Sequence, residues 1–452
     1  MNTEPISPHP FFEDQLLQFR NQLAVVNQKI RRISTLRILS FLITIVGIYV
    51  LAGVHLVALI AIGIIGFAIF IMLVIRHARL HKLKRWYGVL VQINETEMEL
   101  LAGKTSAIPN GQEFINQDHP FTSDLDVFGN RSLFQLVDRS ATLKGREKLA
   151  QRFIHLLKDE KELECRQKAI DELKQKPVWR QHFQAHGKLA LDDKNTVDSF
   201  LSWAKDKAVS FNKPLYKLLL IINPILALGT IFLISMDFAG FGLFVLFLLI
   251  PFAIIGSKFN TINTLHSQLG RKTEVLAKYS ELFGMIEKES FTSELLNEQK
   301  MAILQEDTST QKTIKKLSGI LSAFDYRLNL IVGIFLNIFF LWDILQSIRL
   351  EKWKVSHGEE MESAFEVLFV FDELNSLAGF AFSHPKSVFP KFAPDNFLLE
   401  AEDAKHPFIS EKNNIGNEIS FKGWGKFQII TGANMAGKST YLRTVGINMV
   451  LA

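Results

Sequence analysis

Cysteine is nearly absent: Cys165 stands alone in 452 residues, which excludes an intramolecular disulfide and any cysteine-rich zinc site. Charge is missing from one long stretch. From Ile38 to Ile75 there is no Asp, Glu, Lys or Arg, and His55 is the only side chain of a type that takes up a proton near neutral pH. A cleavable signal peptide is not expected, because that apolar run starts behind a charged amphipathic segment. A large charge imbalance is missing too, since 51 Lys and Arg against 46 Asp and Glu leave +5. So mild an excess suits anionic partners, lipid headgroups or nucleic acid, without selecting one. Hydrophobic residues make up 48% of the chain and concentrate in runs long enough to span a bilayer. The length exceeds what one core serves, so several domains are expected.

A helix needs about 20 residues to cross a membrane, so residues 37–76 read as a hairpin of two spans turning near Ala52–His55. Arg31, Arg32 and Arg37 precede it, and Arg76, Arg79, Lys82, Lys84 and Arg85 follow. By the positive-inside rule both ends lie in the cytoplasm. A second hairpin occupies 213–257, with spans Leu218–Met236 and Phe238–Ser257 interrupted by Asp237. Lys213 and Lys217 precede it, and Lys258, Arg271 and Lys272 follow, so its ends face the cytoplasm as well. Pro224 and Pro251 inside these spans are tolerable in membrane helices. Leu328–Trp342 is apolar but too short to span, with Asn329 and Asn337 inside it. It reads as a buried core or interfacial helix rather than a fifth span.

The remaining segments read as charged helix. Leu16, Phe19, Leu23, Val26, Ile30 and Ile33 form a heptad seam in the N-terminal amphipathic helix, equally suited to packing on its own protein and to a dimer. A helix from residue 77 closes at Gly103, and 104–130 holds Pro, Gly, Asn and Asp clusters that mark a linker or irregular segment. A second seam, Ile262, Leu265, Leu269, Leu276, Tyr279, Phe283 and Ile286, carries Lys272 at one apolar slot.

The most specific stretch is Phe427–Ala452. A short apolar strand, Phe427–Ile430, is expected to run into Gly432-Ala433-Asn434-Met435-Ala436-Gly437-Lys438-Ser439, which fits G-x-x-x-x-G-K-[ST]. A helix follows, with Leu442, Val445, Gly446, Met449 and Val450 on one face. Gly432 and Gly437 let the backbone approach phosphate oxygens, and freed N–H groups at the helix N-terminus cradle the anion. Lys438 would reach the β- and γ-phosphates of ATP, and the Ser439 hydroxyl would take one position on Mg²⁺. The nucleotide-binding set is Gly432, Asn434, Met435, Ala436, Gly437, Lys438, Ser439 and Thr440.

T-G-x-N-M-x-G-K-S-T-Y resembles the phosphate loop of the MutS family of DNA-handling ATPases, with Ala433 where that family usually has proline. Ser132–Phe183 resembles the start of the family's helical core, through Asp138, Ser140, Thr142, Gly145, Arg166 and Gln167. Asp372, Ser376, Leu377 and Ala378 resemble the Asp-x-x-x-Ser-Leu-Ala helix at that core's end. The segments around Lys405-His406-Pro407-Phe408 and Asn413-Asn414 resemble those leading into the ATPase. The Phe11-Phe12-Glu13 triplet is not the family's mismatch wedge, because no α/β domain precedes residue 37 to present it. Glu366–Glu373 has the look of a Walker B strand, but in this family that strand comes after the phosphate loop, so Asp372 and Glu373 are not expected to be catalytic.

The resemblance and the apolar runs together imply a mainly α protein: a multi-helical MutS-like core with two transmembrane helical hairpins, the second a departure from the soluble members of the family, followed by the start of an α/β P-loop ATPase domain. The expected organisation is an N-terminal amphipathic helix (1–36), hairpin 1 (37–76), helix and linker (77–130), core first part (131–212), hairpin 2 (213–257), lever- and clamp-like helices with the core's second part (258–396), and the incomplete ATPase domain (397–452). The carboxylates that hold Mg²⁺ and polarise water lie beyond Ala452 in this family, so a fragment is expected. The apolar runs and their flanking cations imply a multi-pass membrane protein (inner membrane if bacterial), with four spans and a cytoplasmic N-terminus and ATPase. ATP would drive homodimerisation through the ATPase domain around DNA, without classical mismatch sensing. The alternatives are an ATP-driven transport machine, and a non-enzymatic coiled-coil scaffold with a relic nucleotide site.

Overall fold

The computed structural model describes residues 7–52, 56–189, 194–206, 211–269, 272–304, 309–393, 397–409, 413–431, 433 and 437–452. In chain order the helices begin with α1 (Pro8–Leu51), α2 (Leu56–Leu101), α3 (Leu133–Val137), α4 (Leu143–Ile154), α5 (Glu160–Lys174), α6 (Pro177–Lys188) and α7 (Lys194–Lys205). They continue with α8 (Pro214–Ser235), α9 (Gly242–Leu269), α10 (Thr273–Lys288), α11 (Glu294–Ile303), α12 (Thr310–Phe324) and α13 (Leu330–Phe340). Last come α14 (Trp342–His357), α15 (Met361–Ser383), strands β1 (Leu398–Ala404) and β2 (Asn417–Lys422), and α16 (Lys438–Leu451). The protein is mainly helical, and four helices, α1, α2, α8 and α9, are long and apolar enough to cross a membrane. The chain divides into two compact units.

The first unit holds residues 1–139, 149–189 and 374–452. Pro8 opens α1 from the first helical turn, where its missing N–H costs nothing. α1 and α2 pair as an antiparallel hairpin. Its register is marked by Arg20 against Glu95, Ser34 against His77 and Phe41 against Phe70. Phe12, Phe19, Val26 and Ile33 are the buried apolar positions of α1, spaced by sevens. The predicted seam is therefore used within the hairpin rather than held for a second chain. Deeper in the hairpin Gly66 lies so close to Thr44 that a Cβ would come within 2.2 Å of its hydroxyl, the close approach that small residues permit in apolar helix pairs.

α2 ends as predicted at Gly103. It adopts φ +76, its N–H donates to Leu100 O (2.9 Å), and Lys104 N–H donates to Glu99 O (2.8 Å). That is the paired hydrogen bonding of a Schellman stop. Residues 104–130 are irregular apart from one 3-10 turn, Gln112–Phe114, yet they are built into the core. Val127 and Phe128 pack with Leu133, Phe134, Val137, Leu149, Ala150, Phe153 and Ile447, and the Gln135 amide donates to Ile108 O at 2.7 Å. β1 and β2 form an antiparallel ribbon from Leu398↔Lys422 to Ala404↔Asn417, with a register shift after Ala401.

The second unit holds residues 140–148 and 190–373. An aromatic core of Phe200, Trp203, Trp353 and Phe365 joins α7, α14 and α15, with Trp203 stacked on Trp353 at 6.0 Å. Tyr279 and Phe283 of α10 close it against Phe365. Glu351 accepts the N–H groups of Phe211 and Asn212, both at 2.8 Å, just before α8 begins. α8 and α9 form the second hairpin, and Asp237 sits between them at φ +58. The seam read over 258–327 is shared by two helices: Ile262 and Leu269 are buried on α9, and Leu276, Tyr279, Phe283 and Ile286 on α10. Lys272 stands at the N-cap of α10, which explains a lysine in an apolar slot.

Leu328–Trp342 departs from the buried-core half of its reading. Its helix, α13, buries only Gly333. Ten of the eleven residues are apolar, Asn337 being the exception, and neighbouring helices cover only a strip of them.

Candidate functional site

Four of the predicted nucleotide-binding residues, Gly432, Asn434, Met435 and Ala436, lie outside the described residues. The other four are placed. Gly437 takes φ +80 as the N-cap of α16, a left-handed turn that glycine makes without strain. Lys438 is the first helical residue, and Ser439 and Thr440 follow, exposed, in the first turn. Their N–H groups belong to a helix end that lacks intrahelical acceptors, which is what an anion needs. The first turn carries no acidic residue to oppose one. Ser439 supplies a hard oxygen of the kind Mg²⁺ accepts beside phosphate and water. Among the described residues no cluster of three His, Cys, Asp or Glu could hold a metal by itself. The donor set thus fits a magnesium ion brought with a phosphate.

Two expectations about this segment are corrected. Phe427–Ile430 is not a strand; Phe427 is 82% exposed, and no described neighbour offers the ladder that an extended segment needs to satisfy its peptide groups. The face of α16 turned to the protein is also only partly the predicted one, keeping Gly446 and Val450. Thr444 and Ile447 are its buried residues, and Val450 and Leu451 pack on the same core, whereas Leu442 and Met449 are exposed. Apolar residues lie nearly all round this helix, so their spacing could not choose a face.

The segment before the loop is tied to α16. Asn414 donates to His406 O (2.7 Å) and Ile409 O (3.2 Å), closing the His-Pro turn. Phe408 N–H donates to His406 Nδ1 at 3.3 Å, which assigns the remaining ring proton to Nε2. Asn448 of α16 donates to Lys405 O at 3.1 Å, and Arg443 of α16 pairs with Asp126. Burial pushes the His406 imidazole below its ordinary value, with Arg443 adding to the fall and Asp126 opposing it.

Asp372 and Glu373 lie on helix α15, not on a strand, and both are fully buried. Asp372 accepts the N–H groups of Ala141 (2.8 Å) and Thr142 (2.9 Å) and the Thr142 hydroxyl (2.8 Å). Its carboxylate therefore caps the start of α4, where negative charge is favoured. A Cβ on Gly145 would come within 2.1 Å of that carboxylate, which explains the glycine three residues after Thr142. In the other unit Ser376 Oγ accepts the Arg139 N–H at 3.2 Å. Two motifs far apart in sequence thus meet through capping and packing contacts.

Sequence reasoning missed a buried charge cluster in the first unit. Arg139 and Glu97 pair through two bonds of 3.0 Å. Arg180 beside them has its guanidinium pushed down to about 10 by burial, with Glu97 raising it and Arg139 lowering it. Gly379 leaves the room these guanidiniums need; a Cβ there would meet Arg139 at 2.7 Å. Nothing in the spacing of Glu97 on α2, Arg139 in the loop after α3 and Arg180 on α6 could have signalled this.

The α1–α2 hairpin carries an uncommon charge pattern. From Gln15 to Asn94 no acidic residue occurs, while Arg20, Lys29, Arg31, Arg32, Arg37, Arg76, Arg79, Lys82, Lys84 and Arg85 do. Of these, Arg20 pairs with Glu95, and the others gather on the stretches that leave the apolar run.

No family model matches the chain. Over 115 residues, 25% of this chain, it is 30% identical to DNA mismatch repair protein MutS of Streptococcus pyogenes serotype M1 and of serotype M5 (strain Manfredo), where the match covers 13% of the relative. Over 104 residues, 21% of the chain, it is 37% identical to DNA mismatch repair protein MSH2 of Zea mays, covering 11% of that protein. The chain therefore spans a small share of the length of the relatives it matches. About a quarter of it is related to the MutS proteins.

Proposed function

We propose that this chain is a membrane-anchored relative of the MutS proteins that binds ATP and Mg²⁺ through Gly432–Thr440 and acts on DNA. The observation that carries the reading is the phosphate-loop string delivered by a left-handed Gly437 into the N-terminus of α16, in a chain partly related to MutS. In this reading the backbone N–H groups around Gly437 and the Lys438 ammonium hold the phosphates, and Ser439 places Mg²⁺. Bound nucleotide would then bring two ATPase domains together, and the helical core would transmit that closure to DNA. DNA enters because the relatives are named as DNA mismatch repair proteins. α1, α2, α8 and α9 serve as anchors with their outer ends in the cytoplasm, where the cations flanking the apolar runs of α1 and α2 meet anionic headgroups.

The test uses the full chain in lipid nanodiscs and a fluorescent ATP analogue. Lys438→Ala should weaken binding about 10- to 100-fold, as expected for the loss of a charge-assisted hydrogen bond. Ser439→Ala should remove the dependence on Mg²⁺. Unchanged affinity in both variants would sink the nucleotide site. DNA binding, followed by anisotropy across a salt series, should weaken linearly in log–log form; no binding at low salt, with or without ATP, would remove DNA from the proposal.

A further inference from the structure

α13 has the composition of a membrane segment but not its length. Eleven residues make about 16 Å of helix, roughly half of the ~30 Å hydrocarbon layer. Leu330 is 74% exposed, Ile331 81% and Phe335 54%. A surface helix in water pairs one apolar stripe with a polar face. α13 has no such face: its one polar side chain, Asn337, accepts the Asp343 N–H at 2.9 Å. The helix turns away from the preceding α12–Leu328 segment by 109° and packs on α8 and α9.

The decisive contact is made by Asn223. It is a polar residue inside an apolar run of α8, 1% exposed. Its amide donates to Ile338 O (2.8 Å) and Phe339 O (3.1 Å), carbonyls of the last turn of α13. Such carbonyls have no intrahelical partner. Water satisfies them at a surface, whereas in hydrocarbon each one left bare costs several kcal/mol. Asn223 is five residues past Leu218, about 7–8 Å along the helix into the apolar run. Both ends of α13 meet a polar collar, since Trp342, just past its C-terminus, donates to Ala323 O at 2.7 Å. Asn329 caps its N-terminus, accepting from Val332 N–H at 3.2 Å. Arg327 pairs with Asp343 (3.2 Å) and donates to Asn263 (2.8 Å), and His266 meets Asp325 at 2.9 Å. Asn263 and His266 lie on α9 beyond the end of its apolar run at Ser257. This polar collar marks the headgroup level.

We infer that α13 is a non-crossing membrane helix, embedded among the acyl chains of the leaflet where α8 and α9 emerge, with Asn223 completing the hydrogen bonding of its last turn. Its lipid surface is continuous with that of the second hairpin, so the inference rests on reading α8 and α9 as spans. It adds a third kind of membrane contact, one that leads directly through Leu341 and Trp342 into α14 and the core of the second unit.

The test uses the full chain carrying Cys165→Ser, with single cysteines at Ile331→Cys or Phe335→Cys and controls at Leu228→Cys (mid-span) and Met301→Cys (exposed on α11). Each is labelled with an environment-sensitive fluorophore and reconstituted into phosphatidylcholine–phosphatidylglycerol vesicles. Iodide should quench the α13 labels severalfold less than the Met301 label. Nitroxides near the lipid headgroup should quench them more than nitroxides near the chain ends, with the reverse order at Leu228. Asn223→Leu should move the Phe335 label toward the headgroup nitroxide. Iodide access at Ile331 equal to that at Met301, with Leu228 still lipid-quenched, overturns the insertion alone. Shielding of α13 from both iodide and lipid nitroxide means that a second copy covers it, and overturns the inference too. Iodide access at both Ile331 and Leu228 defeats the membrane reading itself.

Discussion

Asp372 shows how a single side chain can imitate a catalytic one. Its apolar approach and following glutamate look like a magnesium-binding strand, yet its two oxygens are consumed by Ala141 and Thr142 at the head of α4. Gly145→Ala would drive a methyl group into that carboxylate. The expected cost is about 2–4 kcal/mol, read as a roughly 100-fold faster hydrogen exchange at the first amides of α4. Glu97 balances two buried guanidiniums, so Glu97→Gln should destabilise the first unit by about 3–5 kcal/mol, measured by denaturant unfolding of that unit's tryptophan signal. At His406 the sign follows from burial. Its folded-state value lies below the ordinary 6.5, so the stability it contributes is fully present above pH 6.5 and is lost as pH falls through that value. NMR titration should place its midpoint below 6.5, with the Lys405–Phe408 turn exchanging faster at pH 5.5 than at pH 7.5; a midpoint at or above 6.5 contradicts the packing.

Among the elements, the α1–α2 hairpin was legible almost whole. Its charge-free run, its flanking cations and its heptad spacing all appear in the sequence, and the glycine that stops α2 is where expected. The partner of the heptad seam was not legible, because a row of apolar residues every seven positions fits any matching row. Phe19→Ala should therefore loosen the hairpin itself, by about 3–5 kcal/mol, seen as faster exchange over α2 around Leu90, without altering the chain's oligomeric state. Within the apolar half, Gly66→Leu should push α1 from α2, because even a Cβ would meet Thr44. Cysteines replacing Phe41 and Phe70 in a Cys165→Ser background should then crosslink severalfold less well. α13 was half legible: its length showed that it is not a simple span, but only the surrounding helices reveal that no core covers it.

On the scale of the whole molecule, the proposal of four spans with all outer ends on one side makes a topological claim. Single cysteines at Asp14 and Glu418 should react alike with a membrane-impermeant maleimide in sealed vesicles, both protected or both labelled. Opposite reactivity would require an odd number of crossings between them.

What the sequence determined by itself is whatever depends on local order along the chain. That includes the charge-free runs, the Gly103 stop and the Gly437-Lys438-Ser439 string at a helix start, since spans, caps and anion cradles are built from consecutive residues. Tertiary structure alone decided the meetings of residues far apart: Asp372 with Thr142, Glu97 with Arg139 and Arg180, and Asn223 with the end of α13. Each brings a buried polar group to partners far along the chain, and no spacing along the chain records that choice.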